Sequence, residues 1–199
     1  MYNLQTKLST LWDIPSRQGL VLSMPLNNGF SSGALIYDES ESGYTGTATN
    51  SPVFKYPGMD FTAASSMFID IGAGSASVKT ISLWVNQDDV ANNEYPIDLN
   101  GTDYIAVESG VVTVYGLVGH SLYVNGYTAT SGVTTIAAVW SHIALTDATA
   151  NNASDLDIGR VTAAYFDGLI ADVLLYSRVL TSDQILSLYM TQKHKYKTW

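Results

Sequence analysis

Asp38, Ser40 and Ser42 stand at alternate positions and Gly43 follows them. That order opens many calcium loops, where successive oxygens must converge on one hard cation. Thr49 occupies the place of the bidentate glutamate of an EF-hand, so the loop is of another kind. Asp172 is the second acid that needs an account. It interrupts an apolar run, and a buried carboxylate is costly unless a cation or several N–H donors meet it. Two readings stay open: an acid that holds the backbone of a neighbouring loop, and a metal ligand.

Catalytic patterns are weaker. Gly119-His120-Ser121-Leu122-Tyr123 starts like a nucleophile elbow, but Tyr123 replaces the closing glycine and the flanks read as strands. His120, His142 and His194 lack the spacing of a zinc site. His142, alternating with Trp140 and Ala144, is expected to be a packed, hydrogen-bonded ring. Asp155 and Asp157 are the nearest pair of acids that share a strand face. Gly159-Arg160 follows them, so a solvated pair with a salt-bridge partner is expected. Glu94 and Asp98 flank Pro96 in an expected loop. No glycine-rich phosphate loop precedes a helix.

Binding remains. Thirteen tyrosines and four tryptophans supply flat amphipathic rings in a chain with few charges, and such rings are platforms for sugars and for interfaces. Tyr44, Tyr95 and Tyr127 fall at expected loops beside Asp, Asn or Ser and are the candidate ligand-binding residues. The net charge of −9 is unevenly placed: six basic residues face eighteen acidic ones up to Gln192, and Lys193, Lys195 and Lys197 lie in the tail. An acidic body repels phosphate backbones, which argues against nucleic acid as a partner. With no cysteine, disulfides and thiolate metal sites are excluded. No apolar run is long enough to span a bilayer.

The elements that must carry these residues are strands. Phe166 to Tyr176 holds two interleaved apolar rows of period two, the pattern of a strand covered on both faces. The period then changes: Thr181 with Gln184 forms a capping box, and Ile185, Leu188 and Tyr189 recur at helical spacing. This short helix is expected to seal one end of the core. Further strands are read at Gly19 to Leu26, Met59 to Ile71 (two, around a small-residue turn), Thr80 to Asn86, Tyr104 to Glu108, Val111 to Tyr115, Leu122 to Val124, Val133 to Val139, Trp140 to Thr146 and Leu156 to Arg160. Asp88 to Pro96 reads as a polar loop, and Ser109-Gly110 and Asn125-Gly126 as hairpin turns. Leu4, Leu8, Leu11 and Trp12 form one stripe of an N-terminal helix over 1–14, either core-packed or an arm for another subunit. The fold class is all-β: one antiparallel sandwich over 15–190, between that arm and a basic tail over 191–199.

The pattern FDGLIADVLLYSRVLTSDQILSLY, with GLVLSMPLNN, DESESGYTGT, ISLWV, LYVNG, WSHIALT and DLDIGR upstream in order, resembles the laminin-G-like, concanavalin A-like jelly-roll superfamily. The resemblance covers nearly everything from Gly19 to Tyr189. It implies a jelly roll and a Ca²⁺ site in which the Asp38, Ser40 and Ser42 loop is helped by Asp172. Two acids commonly end that strand motif, and Ala171 replaces the first. Hydrolases of this fold carry three acids on one strand, and no such string occurs here. The resemblance therefore favours a non-catalytic, lectin-like module for glycans or a cell surface. Similar domains without cysteine or signal peptide occur in phage and virus particles, so a virion-surface adhesion or decoration role is expected. The N-terminal helix and the tail would then dock other virion subunits or a second copy. The first residues lack a signal-peptide pattern, so synthesis in a cytoplasm is expected. A polysaccharide-active enzyme and a purely structural virion subunit are the rival readings.

Overall fold

The apolar rows of the closing strand oblige the chain to cover it on both sides. The computed structural model describes residues 17–26, 31–32 (backbone) and 34–196. The expected N-terminal helix therefore lies outside the described residues. The closing strand, Gly168–Tyr176, is buried at every position and runs through an eight-stranded sheet. Strand order there is Tyr127–Ala129, Ser121–Val124, Ser141–Asn151, Val78–Gln87, Gly168–Tyr176, Gly58–Phe61, Val53–Lys55, with Leu20–Met24 paired to the second half of the closing strand. The second sheet runs Val111–Tyr115, Tyr104–Glu108, Asn93–Asp98, Leu156–Ile158, Phe68–Gly72, Thr45–Thr49, Leu35–Tyr37, Ser31–Ser32. Pairing is antiparallel in both sheets. Inner-face residues such as Leu22, Ile97, Ile105, Ile143, Ile158, Ile170 and Val173 fill one core, so the fold is a β-sandwich, as the alternation implies.

The outer face of the first sheet is covered too. Tyr123, Ala144, Leu174 and Tyr176 pack against Ile185 and Leu188 of the helix Ser182–Gln192. The helix thus lies on a sheet face, not across an end of the core. Its capping box forms as expected: Thr181 Oγ1 accepts the Gln184 N–H at 3.3 Å, and Gln184 Oε1 accepts the Thr181 N–H at 3.1 Å. Each fully buried Leu or Ile of that stripe contributes about 2 kcal/mol.

Three further sequence expectations are corrected. The segment 133–139 is no strand; it holds one isolated bridge, Val111 to Thr135, while Val133 and Val139 stay exposed. Branched side chains that gain no burial give a strand nothing to pack on. The polar loop ends early, because Asn93–Asp98 is a strand. The tail, up to Tyr196, is no free arm: Lys193–Tyr196 forms a 3₁₀ turn and Tyr196 is buried.

Candidate functional site: an aromatic row on the second sheet

Asp38 holds a loop. Its Oδ1 accepts the N–H groups of Ser23 and Ser40 at 2.8 and 2.7 Å. Its Oδ2 accepts the Ser40 hydroxyl at 2.6 Å and the Tyr44 N–H at 3.2 Å. Ser42 donates its N–H to Ser40 Oγ at 3.1 Å. Asp38, Ser40 and Ser42 are therefore brought together, as a hydrogen-bonded turn.

Asp172 has different partners. Ala171 pairs with Trp84 but Leu174 with Ser82, so the closing strand carries one extra residue there. Asp172 sits in that bulge at φ +45°, its N–H donating to the Pro25 carbonyl at 2.8 Å. A bulge re-aims side chains. Ile170 and Val173 both reach the core, whereas Asp172 leaves the row that strict alternation gives it. Its Oδ2 accepts the Tyr196 hydroxyl at 2.7 Å and pairs with Lys195 Nζ at 3.3 Å. Around this clamp Trp84 stacks on Tyr196 at 4.2 Å and on Tyr189 at 5.7 Å, and Trp140 meets Tyr196 at 4.7 Å. Trp84 Nε1 donates to Gln192 Oε1 at 2.9 Å. His142 lies beside Trp84 at 5.3 Å, with Nε2 2.8 Å from Ser82 Oγ, and burial pushes its pKa down to about 3. It is the packed, hydrogen-bonded ring that the sequence suggested.

These residues do not offer the oxygen set that the resemblance implies for Ca²⁺. Donors already fill the Asp38 carboxylate, and an ammonium stands against Asp172. Among the described residues no group of three or more His, Asp or Glu is placed to hold a metal ion.

The three candidate tyrosines part company. Tyr44 is half-buried against the core. Tyr127 opens the strand Tyr127–Ala129, not a loop as expected, and is 65% exposed after the Asn125-Gly126 turn. Tyr95, also on a strand, is the one of the three that enters a ring cluster. Its ring lies 6.3 Å from Tyr104, which stacks on Tyr115 at 4.6 Å. All three are half-buried. Tyr104 and Tyr115 stand on the outer face, because Ile105 and Val112 of the same strands point into the core; Tyr95 falls where the pairing slips, Ile97 facing Ile105 but Glu94 facing Val107, so that its strand carries one extra residue there. Tyr104 and Tyr115 were missed, although the hairpin arithmetic holds the signal: a two-residue Ser109-Gly110 turn sets Tyr104 directly opposite Tyr115, as observed. The Tyr115 hydroxyl donates to both oxygens of Glu108, at 2.8 and 2.9 Å. That bond raises the Tyr115 pKa to about 12.

Register extends the row. Tyr104 pairs with Asp98, Asp98 with Asp157, Asp157 with Asp70, and Asp70 with Thr47. Asp157 is buried, not solvated as expected, though its salt-bridge partner is the expected one. Arg160 Nε and Nη2 donate to its Oδ2 at 2.8 and 2.6 Å, with the guanidinium 3.7 Å over the Phe68 ring. Its Oδ1 is buried without a hydrogen bond, and burial, partly offset by Arg160, raises its pKa to about 6. Asp98 Oδ1 accepts the N–H groups of Asn100 and Gly101 at 3.0 and 2.7 Å, and burial still raises its pKa. At the strand's start, burial lifts Glu94 to about 7 while its Oε2 accepts the Asp167 N–H. Stacked rings beside hydrogen-bond acceptors can hold a polyhydroxylated ring by its face and by its edge.

No protein-family model matches the chain, and no curated protein sequence does. Solved structures do. A Trypanosoma rangeli sialidase superposes over 90% of this chain with a TM-score of 0.60 at 16% identity. The same sialidase with the inhibitor DANA gives 0.61 over 92% of the chain at 16% identity. The receptor-binding domain of a botulinum neurotoxin C/D mosaic serotype gives 0.51 over 89% at 12% identity. The chain spans 34% of the sialidase and 52% of the toxin domain. At such identities the likeness concerns the β-sandwich fold alone.

Proposed function

We propose that the protein is a non-catalytic recognition module that binds glycans, on a cell surface or in solution, through the Tyr95, Tyr104 and Tyr115 row. The observation that carries this reading is the cluster itself: part-exposed Tyr104 and Tyr115 stacked in direct register, Tyr95 tilted against Tyr104, and Glu108 at the Tyr115 edge. Ring faces stack on the apolar face of a sugar, and the part-exposed Glu108 carboxylate can accept its hydroxyls. The similar structures, a sialidase in complex with sialic acid and a toxin receptor-binding domain, lend the reading support at the level of fold.

The acids of this face favour binding over catalysis. Asp157 spends one oxygen on Arg160 and has the other sealed from solvent, so neither is free for a nucleophile or acid role. Display on a phage or virus particle extends the same reading; a genomic neighbourhood of capsid or tail components would support it. The direct test is a glycan array with the wild type and Tyr104→Ala. Retained sugars that the variant no longer holds are expected. Turnover of a polysaccharide panel that vanishes in Asp157→Asn would replace this reading with the enzyme.

A further inference from the structure

Resting on the tyrosine row as the binding face, we infer that the row takes neutral or amino-bearing sugar chains and turns away chains carrying carboxylate or sulfate.

The charges along the face carry this inference. Running outward from the rings, Asp98, Asp157 and Asp70 occupy successive strands in direct register, and Asp155 precedes the strand that bears Asp157. On the other side Glu108 lies under the Tyr115 hydroxyl. Arg160 is the cation that meets this row, and it is committed twice: both its donors are on Asp157 and its plane lies on Phe68. A ligand anion set down on the rings therefore meets Glu108 directly, with exposed Asp70 and Asp155 further along the face and buried Asp98 and Asp157 acting through their field alone, and no guanidinium is turned toward it among these residues. The wider field has the same sign, since the body up to Gln192 carries eighteen acidic residues against six basic ones, and such a field slows the approach of anions.

The hydrogen-bonding roles agree. Ionised carboxylates only accept. Sugar hydroxyls and amines donate to them, whereas a ligand carboxylate or sulfate brings acceptors alone. Glu108 already receives one phenol, and each oxygen retains acceptor capacity for a second donor. An amino group adds charge attraction to that bond.

Isothermal titration against matched pairs separates the outcomes: chitotetraose with its de-N-acetylated counterpart, and lactose with sialyllactose. Each is run with wild type, Tyr104→Ala and Glu108→Gln at low and at physiological salt. The expected result has three parts. The amino chain binds at least as tightly as the acetylated one and weakens with salt; sialyllactose binds at least tenfold more weakly than lactose; Glu108→Gln narrows both gaps. Sialyllactose binding as tightly as lactose, with the interaction still lost in Tyr104→Ala, would leave the tyrosine row standing and overturn the charge selection. Silence from every chain, or binding that Tyr104→Ala leaves intact, would remove the row itself and this inference with it.

Discussion

The two outer faces of the sandwich use aromatic residues in opposite ways. On the first sheet Trp84, Trp140, Tyr189 and Tyr196 interlock under the C-terminal helix and turn, and the one acid among them, Asp172, is closed off by Lys195 and Tyr196. On the second sheet Tyr104 stacks on Tyr115, Tyr95 is tilted against Tyr104, and all three are left half-open with Glu108 at the Tyr115 edge. The difference teaches how to divide the aromatic residues of a β protein. Rings that bury one another together with the chain terminus stabilise the fold. Rings that cluster with one side free remain available to a ligand.

The largest effect expected from this division is on the covered face. Truncation after Gln192 removes Tyr196 from between two tryptophans and strips the Lys195 and Tyr196 donors from Asp172. Loss of a buried ring and of a buried charge's partners each cost about 3–5 kcal/mol, partly overlapping here, so a denaturant melt should shift by several kcal/mol. Sugar binding by the folded fraction should persist. A truncated protein with unchanged stability would show that the clamp holds nothing.

Next comes a contrast in pH. Glu94, in the second sheet, has its folded pKa raised to about 7 by burial. The folded state then binds the extra proton, so stability is full below about 4.5 and falls as pH rises toward 7. Asp157, raised to about 6, adds a loss of the same sign. His142 behaves oppositely: lowered to about 3, it is held neutral, and stability is lost as pH falls below about 6.5. Glu94→Gln should flatten the decline between pH 5 and pH 8, worth on the order of 3 kcal/mol, in thermal melts across that range. An identical decline in the variant would place its source elsewhere.

Smaller is the cost of opening the row. Tyr104→Ala should weaken glycan binding about tenfold or more, roughly 1.4 kcal/mol, while moving the melting midpoint far less than the truncation does. The smallest effect concerns calcium. Because donors already occupy Asp38 and Asp172, added Ca²⁺ or EDTA should leave the midpoint where it is; a rise with Ca²⁺ by linkage would restore an ion site.

Much of the fold was legible because its signals are local. The capping box of Thr181 and Gln184, the Asn125-Gly126 turn and the double apolar row of the closing strand each lie within a few residues. The bulge at Asp172 was not legible, since it exists only relative to the partner strand Val78–Gln87. Nor was the clamp: Tyr196 lies 24 residues beyond the acid it meets, in a stretch whose lysines read as a solvated tail. Tyr95 was legible as a type but was placed in a loop, because Asp88, Asp89, Asn92 and Asn93 mask the start of its strand. Tyr104 and Tyr115 needed no new signal, only the register that their turn already implied.

The account rests on which rings a ligand touches. Ring signals of specifically labelled tyrosines can be followed by NMR as the tightest-binding sugar from the array is added. Shifts at Tyr95, Tyr104 and Tyr115, with Tyr189 and Tyr196 unmoved, are the result the two-face division predicts. Shifts confined to Tyr189 and Tyr196, or to the exposed Tyr127, would contradict it.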